Sequence, residues 1–427
     1  MQDKELYRQL LGLKDPWDVS EIKVDFAGFR VDLWITWPPD RKAPCPECGE
    51  PCNIYDHREE RQWRHLDTMQ FQTILHCRIP RIECSEHGVK SINVPWAEGN
   101  SRFTALFERL AIDVLLGCLN QTKAKEILNL SWDEMHLIQE KAVHRGLERR
   151  KTAALKRLGV DEKSFLKGHR YATLLCDLDE RRVLDVAQDR KEDSLKGLLE
   201  SIPDEQRQEI EAVAMDMWEP YMNAVQALLP EADIVHDKFH IAKYLGEAVD
   251  IVRRAENKAL EKDGSDVLKG TKYLWLTTPD NWSDDQKRMF KELRDQDLKV
   301  GRAWALKEMF ADLWEFTYEG AARNYFRKWY WWATHSRLKA MAKVAKMLKR
   351  HLDNILTYLK HRITNAAVEG INSRIQQVKS AARGFRNFEN YRIAILFFCG
   401  KLNLYPQETQ YSLFGSSGFC VDTEGLK

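Results

Sequence analysis

Apolar and polar residues alternate over much of the first hundred positions, and this pattern predicts strands. Residues 21–37, EIKVDFAGFRVDLWITW, show the period of two that is typical of a strand with one buried face. A turn-rich loop with three cysteines, RKAPCPECGEPC, follows. The alternation returns in RQWRHLDTMQFQTILHCRIPRIECSEHG, which ends in a second tight turn. The pattern therefore predicts a small β-ribbon unit built around a cysteine loop.

From about residue 101 the apolar spacing becomes helical. The segment QTKAKEILNLSWDEMHLIQEKAVHRG predicts two helices joined by a short Asn-Leu-Ser turn, with Ser131 as the N-terminal cap of the second helix. A helix-turn-helix of this length can place its second helix in a DNA groove, where Lys141 and Arg145 are the predicted contacts. The alternative is an ordinary packing unit of a helical bundle.

Beyond residue 151 the pattern of strands returns and then alternates with helices. LKRLGVDEKSF, YATLLCDL and RVLDVAQD predict three consecutive strands. The short apolar runs EAVAMDMW and ADIVHDKFH, each followed by a helical stretch, predict two further βα units. A meander followed by βα units suits a mixed sheet with helices on both faces, which is the ribonuclease H-like arrangement.

Residues 246–355 lose the strand pattern and predict an all-helical, tryptophan-rich insertion, after which the helix RITNAAVEGINSRIQQVKSAA returns to the sheet. The predicted fold is therefore multidomain α+β, with the ribonuclease H-like domain interrupted by the insertion. The predicted divisions are a β-rich domain over 1–98, a helix-turn-helix segment over 99–153, the sheet domain over 154–245, the insertion over 246–355, the second part of the sheet domain over 356–405 and a tail over 406–427.

Composition narrows the class of protein. The chain has 427 residues, of which 44% are hydrophobic, so it can build several globular cores. It contains no run of eighteen apolar residues, and its first residues, MQDKELYRQLL, lack the apolar core of a signal peptide. We therefore expect a cytoplasmic protein. The stretch from Arg323 to Lys401 carries seventeen lysines and arginines against three acidic residues, which favours an anionic partner.

Two pairs of metal-binding residue types share one spacing. Cys45 and Cys48 are separated by two residues, as are Cys84 and His87, and this spacing lets each turn present two ligands to one tetrahedral zinc ion. A glycine follows each pair, as tight ligand-bearing turns require. Cys77 or Cys52 could replace one of the ligands. The alternative is a set of reduced, partly buried cysteines near an unrelated histidine.

Three acidic residues are candidates for a two-metal centre. Asp161 lies on the first predicted strand of the mixed sheet, Asp216 ends the fourth, and Glu369 lies on a distant helix. The first and fourth strands of such a sheet can be neighbours, which brings the aspartates side by side beneath the helix. Oxygen ligands of this kind favour Mg²⁺, and two ions can act on the attacking and leaving oxygens of a phosphodiester. Aspartates at strand ends more often cap turns, so the pattern alone leaves both interpretations open.

The chain resembles the ISL3 group of bacterial insertion-sequence transposases, which are of the DDE type. The matching words are CPEC, PRIECSEHG and VPWAEG in the cysteine segment, GVDEKSFLKGHRY, AVAMDMWEPYMNAV, DIVHDKFHIAK and TNAAVEGINSRIQQVKSAARGFRNFENYR. The resemblance covers nearly the whole chain. It implies that Asp161, Asp216 and Glu369 bind two divalent ions, Mg²⁺ or Mn²⁺, and that one structural Zn²⁺ is held by Cys45, Cys48, Cys84 and His87.

The resemblance also implies a function and partners. We expect binding to terminal inverted repeats, cleavage at the element ends and joining of the 3′ hydroxyl to target DNA, within a homodimer or larger synaptic assembly near the bacterial nucleoid. A DNA-binding regulator descended from a transposase is the principal alternative, and a nuclease that cuts without joining is another. The acidic residues argue against the regulator.

Further residues surround the predicted centre. Possible support for the metals or the substrate comes from His236, Asp237 and His240 after one strand, and from Asn365 and Asn372 on the helix of Glu369. Phosphate neutralisation is predicted for the basic residues that follow, for which a solvated basic face is the alternative. These residues are Arg374, Lys379, Arg383 and Arg386.

Overall fold

The computed structural model describes residues 3–150, 154–166, 170–294, 296–363 and 366–407. The chain divides into two compact units, one formed by residues 1–150 with 402–427 and the other by residues 151–401. Each unit has a hydrophobic core of its own. Strands and helices therefore combine within one chain, as the mixed α+β prediction requires.

The strands of the first unit form a sheet and a small separate hairpin. They are β1 (Asp18–Asp25), β2 (Arg30–Thr36), β3 (Ala43–Pro44), β4 (Pro51–Cys52), β5 (Ile54–Thr68), β6 (Phe71–Cys84) and β7 (Gly88–Ser91). The sheet has the order β1-β2-β6-β5, with β7 on the far part of β6, and β3 pairs with β4. Alternation on β2 places Val31, Leu33 and Ile35 in the core, which explains the apolar spacing of the sequence.

Four helices complete the part of the first unit that the structure describes. They are α1 (Asp3–Leu10), α2 (Ala105–Cys118), α3 (Gln121–Leu128) and α4 (Trp132–Glu148). Asn129 ends α3 in the left-handed conformation, with φ of 51°. Ser131 then begins α4 through a capping box with Glu134, so the predicted cap is confirmed. The segment between residues 101 and 150 is thus helical, with a sharp turn between α3 and α4.

The second unit is built on a mixed five-stranded sheet. Its strands are β8 (Arg157–Leu166), β9 (Arg170–Asp177), β10 (Arg182–Gln188), β11 (Ala212–Met215) and β12 (Asp233–His236). Their order is β10-β9-β8-β11-β12, in which β8, β9 and β10 form an antiparallel meander. Strand β11 lies between β8 and β12 and pairs with each of them in parallel. The predicted meander and βα units are therefore present, and the first and fourth strands lie side by side.

Helices cover this sheet and form a large helical region after it. They are α5 (Glu192–Glu200), α6 (Asp204–Arg207), α7 (Glu219–Leu228), α8 (Lys238–Lys262), α9 (Lys272–Leu276), α10 (Asp284–Arg294), α11 (Lys299–Ala311), α12 (Glu319–His335), α13 (Lys339–Arg350), α14 (Leu352–His361), α15 (Ala366–Ala381) and α16 (Phe388–Cys399). Among the described residues, no helix combines the length and apolar character needed to cross a membrane.

The helical region continues directly from the sheet. Helix α8 runs from Lys238 to Lys262 without a break, so the boundary predicted between residues 245 and 246 lies inside a helix. The region has its own core, in which Trp275 and Trp329 are buried. The Trp329 indole N–H donates to the Leu306 carbonyl at 2.8 Å. These two tryptophans therefore stabilise the fold, as buried tryptophans with a bonded N–H usually do.

Candidate active site and metal centre

Adjacent parallel strands bring Asp161 and Asp216 together. The register pairs Ala212 with Arg157 and Ala214 with Gly159. Two residues beyond the Ala214–Gly159 pair along each chain segment stand Asp216, just after the end of β11, and Asp161, within β8. Both carboxylates therefore lie at one edge of the sheet, where parallel strands present their carboxyl ends.

Gly159 allows helix α15 to lie close over this edge. A Cβ atom at that position would meet Val368 of α15 at 2.8 Å and Leu178 at 2.7 Å. Gly159 and Asp161 are two residues apart on β8, so both face the same side of the sheet. Val368 directly precedes Glu369, so this close approach brings the start of α15 to the strand that carries Asp161.

Helix α15 also contacts Asp161 directly. The Asn372 side-chain amide donates a hydrogen bond to the Asp161 carboxylate. Asn372 lies three residues beyond Glu369, on the same helix face, and Glu369 itself is exposed. A cavity of about 800 Å³ is lined by Asp161, Glu369, Asn372 and further polar residues. The structure therefore brings Asp161 and Glu369 to one open cavity. Asn365 lies outside the described residues.

The first turns of α8 surround Asp216. The His240 ring lies with Nδ1 3.6 Å from the Asp216 carboxylate and Nε2 3.9 Å from that of Asp237. The Tyr244 hydroxyl donates to Asp216 Oδ2, the same oxygen that His240 approaches, at 3.5 Å. Asp237 caps α8 by accepting from the Phe239 N–H at 3.1 Å. Asp237 and His240 therefore lie at the cavity, as expected for supporting residues.

His236 occupies a different place from its neighbours. It is almost completely buried at the end of β12, and burial lowers its pKa to about 4. Its Nδ1 lies 3.4 Å from the Met215 carbonyl, and its ring packs edge-on against His351. It does not line the cavity among the described residues. This placement argues against direct action of His236 on substrate, because its ring is enclosed by the core.

An ion pair lies beside Asp161, and the sequence analysis missed it. Glu162 follows Asp161 and pairs with Arg190, whose guanidinium lies 4.0 Å from the centre of the Trp218 ring. Burial raises the pKa of Glu162, Arg190 opposes that shift, and the charges of Asp161 and Asp216 add to it. The Asp-Glu pair in GVDEKSF was the visible signal. Tyr244, four residues beyond His240 on one helix face, was another.

The predicted basic residues after Glu369 are mostly exposed. Arg374 lies on the outer face of α15, and Arg383 and Arg386 lie in the exposed segment after it. Lys379 instead donates to the Ser164 carbonyl of β8. Partial burial lowers the pKa of Lys379, and Lys163 lowers it further. Three of the four side chains are therefore open to solvent, whereas Lys379 helps to fasten α15 to β8.

The four predicted zinc ligands converge in the first unit. Cys45 and Cys48 lie in the turn between β3 and β4, Cys84 ends β6, and His87 precedes β7. Their ligand atoms all lie within 4.8 Å of one another. Cys48 Sγ is 3.7 Å from Cys84 Sγ, and Cys84 Sγ is 3.6 Å from His87 Nδ1. Sulfur and nitrogen atoms at these separations match the edges of a tetrahedron around zinc, about 3.5 to 3.8 Å for its usual bond lengths.

The two turns have the backbone that close ligand spacing requires. Gly49 has φ of 78° and Gly88 has φ of 67°, both in the left-handed region. Cys77 lies in the buried middle of β6, where burial raises its pKa to about 12, and it is outside the cluster. Cys52 is also outside, with its thiol near the Glu50 carbonyl at 3.3 Å. The cluster suits one zinc ion bound by the four predicted residues.

Arg145 is not available for the predicted contact with DNA. Its guanidinium donates to Glu98 at 3.0 Å, to the buried Glu108 at 2.8 Å and to the Leu404 carbonyl at 2.8 Å. These contacts engage all three guanidinium nitrogens, so we correct the expectation: Arg145 links α4 to other parts of the first unit. Lys141, one turn earlier on α4, lines a cleft of about 1080 Å³, and the paired Arg145 lies on the wall of the same cleft.

Comparison with known protein families assigns the second unit to the transposases. Residues 158–395 match the family model of ISL3-type DDE transposases, and residues 41–87 match the zinc finger of the transposases IS204, IS1001, IS1096 and IS1165. The first match alone spans more than half of the sequence. The chain therefore belongs to the ISL3 family of DDE transposases.

Individual relatives agree with this assignment. The chain is 29% identical over 387 residues to the transposase for insertion sequence element IS1001 of Bordetella parapertussis, a match that covers 86% of this chain and 94% of that protein. It is 25% identical over 418 residues to the transposase for insertion sequence element IS1557 of Mycobacterium tuberculosis, covering 91% of this chain and 93% of that protein. The similarity thus extends over both units. The family resemblance predicted from the sequence is confirmed.

Proposed function

We propose that the chain cuts DNA at the ends of an insertion sequence and joins the freed 3′ hydroxyl to target DNA, using Asp161, Asp216 and Glu369 as the ligands of two divalent metal ions. The observation that carries the proposal is the parallel pairing of β8 with β11, which supports a position for Asp161 and Asp216 at one edge of the sheet, where helix α15 with Glu369 packs against Gly159. The strand order, a meander followed by two parallel strands, supports a ribonuclease H-like fold for this unit, interrupted by the helical region.

The donor set fits magnesium or manganese. The three residues offer carboxylate oxygens, the ligands that Mg²⁺ prefers, and the cavity of about 800 Å³ leaves room for a phosphate. When bound, two such ions supply activation of the attacking oxygen and stabilisation of the leaving one. An attacking water or 3′ hydroxyl needs no covalent intermediate with the protein. One site can therefore serve both cleavage and joining.

Neighbouring residues hold the carboxylates in place. Asn372 orients Asp161 through its amide, while His240 and Tyr244 approach Asp216 from α8. Arg190 pairs with Glu162, so the carboxylate next to Asp161 has a cation of its own. Hydrogen bonds to ligand carboxylates fix their orientation and strengthen metal binding.

DNA recognition is proposed for the first unit. The cleft beside α4 has Arg58, Arg61, Lys141 and Arg149 on its walls, together with acidic residues that include Glu98. Basic side chains in such a cleft attract the phosphate backbone. In the second unit, Arg374, Arg383 and Arg386 are exposed for the same purpose. We assign a structural role to the zinc ion, because four protein ligands leave no open coordination position for a substrate or a catalytic water.

Cleavage and joining must be measured together, because a nuclease shares the first step. Full-length protein is incubated with labelled duplexes that carry the element ends, in Mg²⁺, Mn²⁺ or EDTA. Asp161→Asn, Asp216→Asn and Glu369→Gln are each expected to lose at least about a hundred-fold in both products, since even partners of metal ligands are worth 10- to 100-fold.

Glu292→Gln is the matched control, because Glu292 is exposed on α10, outside the cavity lining. It should retain wild-type cleavage and joining, and all variants should still bind the ends. Cleavage without joining would favour a nuclease. End binding with neither product would favour a regulator and contradict the proposal.

A further inference from the structure

An exposed phenyl ring forms part of the lining of the acidic cavity. Phe239 is the second residue of α8, and 58% of its surface is exposed. The other residues around the cavity are mostly charged or amide-bearing, such as Asp161, Glu369 and Asn372. Single exposed aromatic residues are common on protein surfaces, so exposure alone indicates little. This ring, however, shares the lining of one cavity with Asp161 and Glu369, and that position calls for an explanation.

The backbone of Phe239 is fixed while its ring is left open. Its N–H donates to the capping carboxylate of Asp237 at 3.1 Å. The ring meets the edge of His240, with centres 5.9 Å apart and planes at 84°. His240 in turn lies 3.6 Å from the Asp216 carboxylate. The ring therefore contacts the acidic site through His240, and its exposed surface remains accessible to another planar group.

Phe239 also lines a second cavity, of about 610 Å³, that runs along α8. Lys243, one turn further along the helix, and Lys272, at the start of α9, lie on its walls. Of the two acidic residues there, Asp250 is paired with Arg253 and Arg254, at 2.8 and 3.1 Å, and Glu247 is the other. The path from the carboxylates past Phe239 thus leads to ammonium groups, which attract phosphates.

We propose that Phe239 stacks an unpaired nucleobase of the DNA strand next to the scissile phosphate, with Lys243 and Lys272 beside the phosphates of that strand. The inference rests on the proposed function and adds a ligand, a flipped base, to the same site. Aromatic rings stack on every base type, so the contact is independent of sequence. Withdrawing one base from the duplex lets the phosphate approach the carboxylates that line the cavity.

Activity on paired and unpaired substrates tests this role. Phe239→Ala should lower cleavage of fully paired ends by roughly 5- to 150-fold, the loss that corresponds to one base–aromatic stack. A mismatch at the flipped nucleotide should restore most of that loss, because the base is already unpaired. Phe239→Trp should retain activity on both substrates. Tyr318→Ala is the control, since Tyr318 is 73% exposed and lies outside both cavities.

A second measurement does not depend on cleavage. End duplexes carry the fluorescent base 2-aminopurine at successive positions around the cut, and binding is followed in Ca²⁺. Wild-type protein should raise the emission at one position, as expected for a base withdrawn from its stack, and Phe239→Ala should not. Equal losses for Phe239→Ala on paired and mismatched ends, or no position with altered emission, would overturn the inference. If wild-type protein failed to cleave the end duplexes at all, that result would instead count against the proposed function.

Discussion

Asn372 combines two tasks on one face of α15. It lies one helical turn beyond Glu369 and donates a hydrogen bond to Asp161. Its carbonyl oxygen is buried and has no hydrogen-bond partner among the described residues. An amide held in this way keeps the Asp161 carboxylate in a fixed orientation, which metal binding needs.

Replacement of Asn372 should therefore weaken catalysis through the metals. Asn372→Ala is expected to lower cleavage by about 10- to 100-fold and to raise the Mg²⁺ concentration needed for half-maximal activity. A titration of cleavage rate against Mg²⁺ measures both effects. Asn257→Ala, which removes an amide paired with Glu261 on α8, is the control and should match wild type. An unchanged Mg²⁺ requirement in Asn372→Ala would count against the positioning role.

Residues near the site differ in how far the sequence could predict them. Asp161, Asp216 and Glu369 stand in recognisable words, so their proposed roles follow from the family resemblance. Arg190 could not be predicted, because its partners Glu162 and Trp218 are distant in sequence and meet it only in the folded chain. Arg145 was misplaced for the same reason, since its partner Glu98 lies 47 residues away.

Two turns, each too short to be stable alone, meet at the cysteine cluster. The hairpin of β3 and β4 has only two residues on each strand, and the turn between β6 and β7 brings Cys84 and His87 to it. Hydrogen bonding to His87 lowers the pKa of Cys84 to about 6, which favours the thiolate that binds metal. Such small elements depend on a metal for their stability.

One zinc ion per chain is therefore expected. Replacement of any one of its four ligands should abolish zinc binding. Cys48→Ser should abolish the zinc measured by elemental analysis and lower the midpoint of thermal unfolding. Cys118→Ser, at the end of α2 and outside the cluster, should keep one zinc per chain. Full zinc content in Cys48→Ser would show that the ligand set is different.

A buried histidine joins the ribbon to the helices of the first unit. His65 of β5 lies 2.9 Å from Thr104 Oγ1, and Thr104 caps α2 by accepting from the Phe107 N–H. Burial lowers the pKa of His65 from 6.5 to about 4. Above pH 6.5 the ring is neutral in both the folded and the unfolded chain. Between pH 6.5 and 4 only the unfolded chain takes up the proton, so stability falls as the pH falls.

His65→Gln should remove this pH dependence. The stability of wild type relative to the variant is expected to decrease by at most about 3 kcal/mol between pH 6.5 and 4, and to change little above that range. Hydrogen exchange of the β5 amides in zinc-loaded, full-length protein measures the difference, in which contributions of the zinc ligands cancel. Parallel curves for the two proteins would contradict the neutral, buried state of His65.

For the whole molecule, the apolar and polar pattern of the sequence predicted the order of the helices and strands better than the boundaries between regions. The meander and the βα units of the sheet follow from short apolar runs, which report burial directly. The boundary between the sheet and the helical region could not be predicted from the sequence, because α8 continues through it with one amphipathic pattern. Packing of distant segments, such as α15 against Gly159, also lay beyond local pattern.

The central claim is that Asp161, Asp216 and Glu369 together hold two divalent ions. The most direct test counts the Mn²⁺ ions bound by full-length protein on an uncleavable end duplex, by electron paramagnetic resonance and equilibrium dialysis. Wild type and Glu292→Gln should bind two ions with the magnetic coupling of a pair about 4 Å apart. Asp161→Asn, Asp216→Asn and Glu369→Gln should each lose at least one ion and the coupling. Two coupled ions in all three variants would contradict the assignment.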